Sequence, residues 1–305
     1  MDASTVSPFR LRRPEANLHQ RRRAGDLAHM NREPLRPITD DEIARYRADG
    51  AMCLRGLFDR DWIEALARDV DADMAAPGPM VRINTPTGNP GLFFVDFQLW
   101  RRWPGCRDFA LNSPGAAIAA ALTGSPTVAF YHDHLLVKEP GTLEPTPWHH
   151  DQPYYPVDGD QVVSLWLPLD PVARETSVEY VKGSHRWGRW FQPRFFKQSV
   201  DLAVADPRFE PVPDMAAERG RHELLGWALE PGDVIAFHGL TLHGAPGNAS
   251  LARRRRAYST RWLGADTRYA QRVGQISPPI EGHGLAPGDA MECALFPRVW
   301  PRAAA

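Results

Sequence analysis

A succession of short runs rich in β-branched and aromatic residues limits the possible folds of this chain more than any other feature. The runs are TVAFYHDHLLVKEPG, VVSLWLPLD, SVEYVKGS, DVIAFHG and RRRRAYSTRWL, and residues such as Pro, Gly and Asp separate them. This spacing is typical of short strands joined by turns. The second half of the chain is therefore predicted to be mostly sheet.

Helical patterns precede these strands. In PITDDEIARYRADG, Thr39 as N-cap and Glu42 three residues later form a capping box, and Gly50 ends the helix. DRDWIEALARDVDADM and SPGAAIAAALTG predict two further helices. Helices first and many short strands afterwards predict an α+β fold. Its core is expected to be a double-stranded β-helix, the cupin-like jelly roll, flanked by N-terminal helices.

The chain of 305 residues is long enough for one large domain, which we place at residues 36–305. Residues 1–35 contain FRLRRP and HQRRRAG without apolar periodicity and are predicted to be a disordered leader. Residues 187–228 interrupt the series of strands, so we expect an insertion there that crosses the mouth of the barrel as a lid.

Composition excludes several classes of partner. The formal net charge is −1, from 36 basic and 37 acidic residues, so no overall field favours nucleic acid or an anionic membrane. The three cysteines are odd in number and far apart, which excludes a disulfide framework and a zinc ribbon and favours the reducing cytoplasm. No apolar run approaches the length of a membrane span.

The segment TPWHHDQPYY contains the most informative polar residues. If it is extended, His149 and Asp151 share one face and His150 takes the other. Two histidines and one carboxylate form the facial triad of non-haem Fe(II) oxygenases, so a second histidine must come from a distant strand. EPGDVIAFHGLTLHGAPGN supplies two candidates, His238 and His243.

Five blocks in order, PWHHDQPYY, LWLPLD, VEYVKGSHRWG, GDVIAFHGLTLHGAPGN and RRRRAYSTRW, resemble the phytanoyl-CoA dioxygenase family of Fe(II)/2-oxoglutarate oxygenases. The resemblance covers roughly residues 38–300. It implies that His149, Asp151 and His243 are the metal ligands and that Fe(II), 2-oxoglutarate and O2 are used. A single His-x-Asp pair is a weak signal, but five ordered blocks are a specific one.

The resemblance also implies an arginine that binds the distal carboxylate of 2-oxoglutarate, because that buried anion needs a cation. The run 253–256 makes the choice ambiguous. Counting from His243 favours Arg254, whereas the strand RAYS favours Arg255, which we prefer. Strand alternation then places Ala257 and Ser259 on the same inward face as Arg255. Two further positions match cosubstrate contacts of the family, Lys138 and Trp166.

The implied reaction is hydroxylation of an unactivated C–H bond in a small molecule, with release of succinate and CO2. Desaturation, cyclisation or demethylation by the same cofactor chemistry stays open as an alternative. Halogenases of this kind lack the metal carboxylate, so the presence of Asp151 disfavours halogenation. A non-redox jelly-roll metal protein or a sensor protein is the alternative of a different class.

Substrate specificity is expected to lie in residues 76–96 and 187–228. These segments contain Arg82, Arg189 and Arg194, which are possible partners of an anionic substrate. His132 and His134 also have metal-ligand spacing, but no third block accompanies them.

Overall fold

A computed structural model describes residues 29–197 and 201–302. The helices are α1 (Asp40–Asp49), α2 (Arg60–Ala75), α3 (Pro104–Asn112), α4 (Gly115–Thr123) and α5 (Met215–Glu218). The strands are β1 (Ala51–Leu54), β2 (Arg82–Ile83), β3 (Phe93–Phe97), β4 (Val128–Lys138), β5 (Thr146–His149), β6 (Val157–Asp158), β7 (Val162–Pro168), β8 (Glu179–Val181), β9 (Trp190–Phe191), β10 (Val204–Ala205), β11 (Phe209–Glu210), β12 (Leu224–Leu225), β13 (Val234–His238), β14 (His243–Ala245), β15 (Arg255–Gly264), β16 (Arg268–Tyr269), β17 (Val273–Gly274) and β18 (Arg298–Trp300).

An eight-stranded sheet forms the body of the fold, in the order β1-β13-β7-β15-β4-β3-β2, with β18 paired to β4. The helices cover one face of it. Leu66 and Val70 of α2 pack against the same buried cluster as Leu165 of β7 and Tyr258 of β15. Burying each such aliphatic side chain contributes about 1.5–3 kcal/mol. The apolar face of α2 therefore holds the helical layer on the sheet.

A smaller four-stranded sheet, β12-β8-β14-β5, packs on the opposite face. A second cluster lies between the two sheets, and it includes Trp166, Tyr180 and Phe237. The rings of Tyr180 and Phe237 are 5.1 Å apart. Two sheets around one core, reached by strands that alternate between them along the chain, are the predicted jelly roll with its N-terminal helices, and the prediction is confirmed.

The ends of α1 follow from local chemistry. Thr39 Oγ1 accepts a hydrogen bond from Glu42 N at 3.2 Å, and Thr39 N donates to Glu42 Oε2 at 2.9 Å. Gly50 ends the helix with φ 80°, a conformation that only glycine adopts easily. The predicted capping box is confirmed. The sequence patterns did not reveal α3 or β3, since β3 lies inside the segment read as variable.

The described fold begins before residue 36. Trp62 Nε1 donates to Asn31 O at 2.8 Å, and Asp59 N donates to Asn31 Oδ1 at 3.0 Å. Residue 31 thus contacts the segment that opens α2, and residues 1–28 of the predicted leader lie outside the described part. These contacts join residues distant in sequence, so the sequence patterns did not reveal them. None of the helices that the structure describes is long and apolar enough to cross a membrane.

Candidate active site

Three of the predicted site residues meet between the two sheets. His149 ends β5, His243 begins β14, and the two residues lie opposite each other in the antiparallel register. Asp151 Oδ1 is 3.6 Å from His149 Nε2 and 3.9 Å from His243 Nε2. Among the described residues these three form the one group of its kind whose ligand atoms all lie close enough, within 4.8 Å, to hold a metal ion.

The path of the chain through this group differs from the sequence expectation. The strand ends at His149, and Asp151 has φ −75° and ψ −49°, so its carboxylate reaches the imidazole from a turn and not from a continued strand. His150 does point elsewhere, with its ring 4.4 Å from that of Phe191. The prediction assumed that the whole segment is extended. The segment is extended as far as His149, but the chain turns before Asp151, so strand alternation is not the reason why these two side chains lie close together.

Backbone carbonyls orient both imidazoles. His149 Nδ1 lies 2.7 Å from Pro147 O, and His243 Nδ1 lies 2.9 Å from Thr241 O. A carbonyl only accepts, so each Nδ1 carries the proton and each Nε2 keeps its lone pair. Burial and the neighbouring His149 lower the pKa of His243 to about 3. Both Nε2 atoms can act as neutral metal ligands.

The second oxygen of Asp151 is held by two donors. Ser164 Oγ donates to Asp151 Oδ2 at 2.7 Å, and Arg261 Nη2 donates to the same oxygen at 3.0 Å. Burial raises the pKa of the Asp151 carboxyl, but the charge of Arg261 and the contact with His149 outweigh it and hold that pKa well below its usual range. The group is thus an ionised carboxylate with Oδ1 left for a cation.

Sequence reasoning did not identify Arg261. It lies on β15 six residues after Arg255, and the inward alternation that gave Ala257 and Ser259 leads to it directly. Its Nε donates to Tyr155 Oη at 2.9 Å, so the guanidinium is fixed on two sides. The alternation of side chains along β15 could therefore have identified Arg261.

A small cavity, which we name the inner cavity, extends from this group between the two sheets. It has a volume of about 40 Å³, and its walls include Trp166, Tyr180, Arg255, Ser259 and Arg261. Four buried polar atoms on its lining have no hydrogen-bond partner among residues 29–197 and 201–302: Tyr180 Oη, Ser259 Oγ, Arg261 Nη1 and His134 Nε2. Unpaired buried polar groups are rare, so this lining matches a small ligand with several oxygens, as 2-oxoglutarate is.

Arg255 is the buried arginine of the run 253–256. Its side chain lines the inner cavity, donates to the Thr176 carbonyl, and has no carboxylate partner among the described residues. Burial lowers the pKa of its guanidinium to about 10. Arg254 instead lies at the surface, paired with Glu139 and with Asp71 at 3.2 Å. Among the described residues that line the inner cavity, Arg255 is therefore the arginine whose charge no carboxylate compensates, since Arg261 is paired with Asp151.

The other two predicted cosubstrate contacts are placed differently. Trp166 lines the inner cavity. Lys138 is buried opposite Arg255 in the β4–β15 register, yet its Nζ donates to Pro246 O at 2.8 Å and lies 4.4 Å from the Phe93 ring centroid. Lys138 is not on the lining of the inner cavity.

A larger cavity, which we name the outer cavity, opens on the other side of the metal-ligand group, by which we mean His149, Asp151 and His243. It has a volume of about 310 Å³ and shares His134, His149, Asp151 and Phe196 with the inner cavity. Its remaining walls come largely from residues 82–97 and 194–197. Most of these positions lie in the two segments that the sequence marked as variable.

The remaining histidine candidates have structural roles or stand alone. Asp133 accepts hydrogen bonds from Leu99 N at 2.8 Å and Trp100 N at 2.7 Å, so it caps a turn instead of joining its flanking histidines at a metal. His134 stacks on Phe97 with centroids 4.2 Å apart and lines both cavities. His238 Nε2 lies 2.6 Å from Asp160 O, away from the metal-ligand group.

A jelly roll in which two imidazoles and one carboxylate converge beside a cavity with a buried, unpaired arginine defines the class of non-haem iron oxygenases. A model of the family "Phytanoyl-CoA dioxygenase (PhyH)" matches residues 46–257, and the chain belongs to this family. It is an Fe(II)- and 2-oxoglutarate-dependent dioxygenase, with O2 as the second cosubstrate.

Individual relatives agree. The chain is 28% identical over 231 residues to a 1-deoxypentalenic acid 11-beta-hydroxylase of Streptomyces arenae, covering 70% of this chain and 78% of the relative. It is 26% identical over 161 residues to the peroxisomal phytanoyl-CoA dioxygenase of Homo sapiens, covering 51% and 45%. The solved structure of the carbocyclase SnoK from nogalamycin biosynthesis matches with a TM-score of 0.67 at 25% identity, over 86% of this chain and 96% of that one.

Proposed function

We propose that His149, Asp151 and His243 bind Fe(II), and that 2-oxoglutarate lies in the inner cavity with its distal carboxylate on Arg255. The observation that carries this proposal is that Arg255, a buried guanidinium without a carboxylate partner among the described residues, lines the same cavity as the three ligands. Trp166 forms part of the cavity wall against which the cosubstrate lies. Lys138, next to Arg255 in the strand register, adds positive charge at the same end when an anion is bound.

Fe(II) with bound 2-oxoglutarate supplies the oxidising power, since O2 is reduced while 2-oxoglutarate is oxidised to succinate and CO2. The chain's own residues hold and screen the site. The two Nδ1–H groups keep the imidazoles in the ligating tautomer, and Arg261 with Ser164 keeps one oxygen of Asp151 away from the cation. Phe196, whose ring centroid is 5.0 Å from that of His149, separates the two cavities and limits entry of water.

The substrate on this proposal is a small molecule in the outer cavity, and the reaction is hydroxylation of one of its unactivated C–H bonds. The hydroxylase from Streptomyces arenae supports that outcome. Cyclisation by the same cofactor chemistry is the second candidate, because the structural neighbours include a carbocyclase and an epimerase.

The same proposal covers domain organisation and location. Residues 36–305, with the packed residues 29–35, form one catalytic domain. Residues 187–228 act as a lid, which is supported by the position of 194–197 on the wall of the outer cavity. We place the enzyme in the cytoplasm, where its cysteines stay reduced.

An anaerobic titration with Fe(II) and 2-oxoglutarate tests the assignment through the weak visible charge-transfer absorption of the chelated cosubstrate. We expect the wild type to develop this absorption. We expect His149→Ala, Asp151→Ala and His243→Ala to lose it, and His222→Ala, a histidine outside both cavities, to keep it. A folded, metal-loaded wild type without the absorption would overturn the proposal in favour of a non-redox metal protein.

A further inference from the structure

We infer that the substrate of this enzyme carries a carboxylate, and that Arg82 binds it in the outer cavity. The inference rests on the proposed function, because it places the reacting part of the substrate beside His149 and Asp151. It adds a chemical class of substrate and a residue that recognises it.

Arg82 is the one unpaired arginine of the three that the sequence marked. Arg189 is paired with Glu210 at 2.6 Å, and Arg194 with Asp201 at 3.0 Å. No carboxylate of the described residues lies within ion-pair distance of Arg82, which is half-buried. Its charge is therefore left without a counterion inside a cavity of the protein, which costs free energy until an anion arrives.

The guanidinium is held in place without an ion pair. Arg82 lies on β2 opposite Val95 of β3, and its Cζ lies 5.3 Å from the centroid of the Phe97 ring. Both neighbours also line the outer cavity. A guanidinium stacked on an aromatic ring keeps its edge free for the two parallel hydrogen bonds that a carboxylate accepts. Asn84, two residues along and buried, adds an amide to the same lining.

The rest of the outer cavity is suited to an apolar body. Ile83, Val95, Phe97, Phe195 and Phe196 contribute much of its surface. Arg82, His149 and Asp151 all line this one cavity. A substrate with one anionic end and a hydrocarbon body would thus be fixed at Arg82 and present a C–H bond toward the metal site. A doubly charged phosphate would call for a second free cation on this lining, but Lys197 is exposed and Arg194 is paired with Asp201.

Two compact probes of the same shape test the inference: adamantane-1-carboxylate and adamantane-1-carboxamide. Binding to the full-length protein, loaded anaerobically with Fe(II) and 2-oxoglutarate, is measured by calorimetry. We expect the acid to bind the wild type about tenfold more tightly than the amide, a difference of about 1.4 kcal/mol. Arg82→Gln should remove this preference, Arg82→Lys should keep part of it, and Arg189→Gln should leave it intact.

Equal binding of acid and amide to the wild type, no binding of the acid, or a preference that survives in Arg82→Gln would each overturn the inference. The charge-transfer absorption of the same samples reports the cofactor site separately. An acid preference without that absorption would overturn the oxygenase assignment and keep the anion site, whereas absorption without the preference would do the reverse. Unfolding midpoints of the Arg82 variants show whether each is folded when tested.

Discussion

The inner and outer cavities both reach His149 and Asp151 but are built in different ways. The inner cavity is small and also touches His243, and strands supply its key residues: Arg255, Ser259 and Arg261 from β15 and Trp166 from β7. The outer cavity has a volume of about 310 Å³, whereas the inner cavity has a volume of about 40 Å³. Residues 82–84 and 194–197 supply much of the wall of the outer cavity. Alternation along the central strands determines the first, whereas the short edge strand β2, its neighbour β3 and the segment 194–197 determine much of the second.

This difference separates the constant and the adaptable parts of the enzyme. Strand alternation leaves little freedom in where Arg255 or Ser259 points, because a shift of one residue would turn the whole face away from the cavity. Segments that connect strands accept changes in length and composition more readily. The cosubstrate half is therefore constrained by the fold, and the substrate half is open to change within it.

The largest effect should follow from Arg261→Met, which removes a charged residue from the wall of the inner cavity. The substitution leaves Asp151 buried without its ion-pair partner, and losing one member of a buried pair costs about 3–5 kcal/mol in the free energy of unfolding. Chemical denaturation measures this loss. Arg219→Met, which removes an exposed pair with Glu179, is the matched control and should cost about 0–1 kcal/mol. Equal losses in the two variants would contradict a special role for Arg261.

Arg255→Gln should have the next largest effect, and it separates the two cavities functionally. Loss of a hydrogen-bonded charge partner costs about 1.5–3 kcal/mol, which corresponds to a 2-oxoglutarate affinity lower by roughly 10- to 100-fold. Titration of the charge-transfer absorption measures it. Arg254→Gln, at the surface, should change the affinity by less than about twofold. The reverse ranking would move the cosubstrate to Arg254.

Phe196→Ala should have a moderate effect, since this ring lines both cavities. Its removal lets water reach His149, so we expect succinate release in the absence of substrate to rise severalfold. Phe195→Ala removes a ring that lines the outer cavity alone and serves as the control. A similar rise in both variants would show that the outer cavity as a whole, and not the Phe196 ring, excludes water.

The last prediction concerns stability alone, at two carboxylates behind β3, Asp73 and Asp96. Burial raises the pKa of Asp73 to about 7, although hydrogen bonding from Trp103 and the charge of Arg102 oppose it. The folded state then binds this proton more tightly than the unfolded chain. The stabilisation is fully present below the ordinary carboxyl pKa and is lost as the pH rises through about 7.

Asp73→Asn should remove this dependence, because the amide does not titrate. The free energy of unfolding should then change less between about pH 4 and pH 7. Denaturation at several pH values measures the slope. Asp71→Asn, on the same helix but at the surface, is the control. An unchanged slope in Asp73→Asn would locate the dependence elsewhere.

Much of the cosubstrate half was predictable from the sequence. The five ordered blocks indicated the family, and anchoring on the strand RAYS favoured Arg255 over Arg254. Strand alternation from Arg255 leads on to Arg261, which none of the predicted positions included. Asp151 shows the opposite case, because its turn depends on local packing that a strand pattern does not encode.

The substrate half was only marked as variable. Arg82, Arg189 and Arg194 look alike in sequence, and what distinguishes them is whether Glu210 and Asp201 come within reach after folding. Such pairing depends on three-dimensional neighbours and has no periodic signal. The strand β3 supplies Val95 and Phe97, which lie beside Arg82 on the lining of the outer cavity. It was missed because its five residues are all buried, so it lacks the alternation of a half-exposed strand.

The run Arg253–Arg256 has an evolutionary consequence. A loop precedes this strand, and arginines flank Arg255 on both sides. If the loop absorbs the change in length, the loss of one arginine still leaves an arginine at the strand position that faces the inner cavity. The run thus makes the position of this guanidinium tolerant of a deletion of one residue.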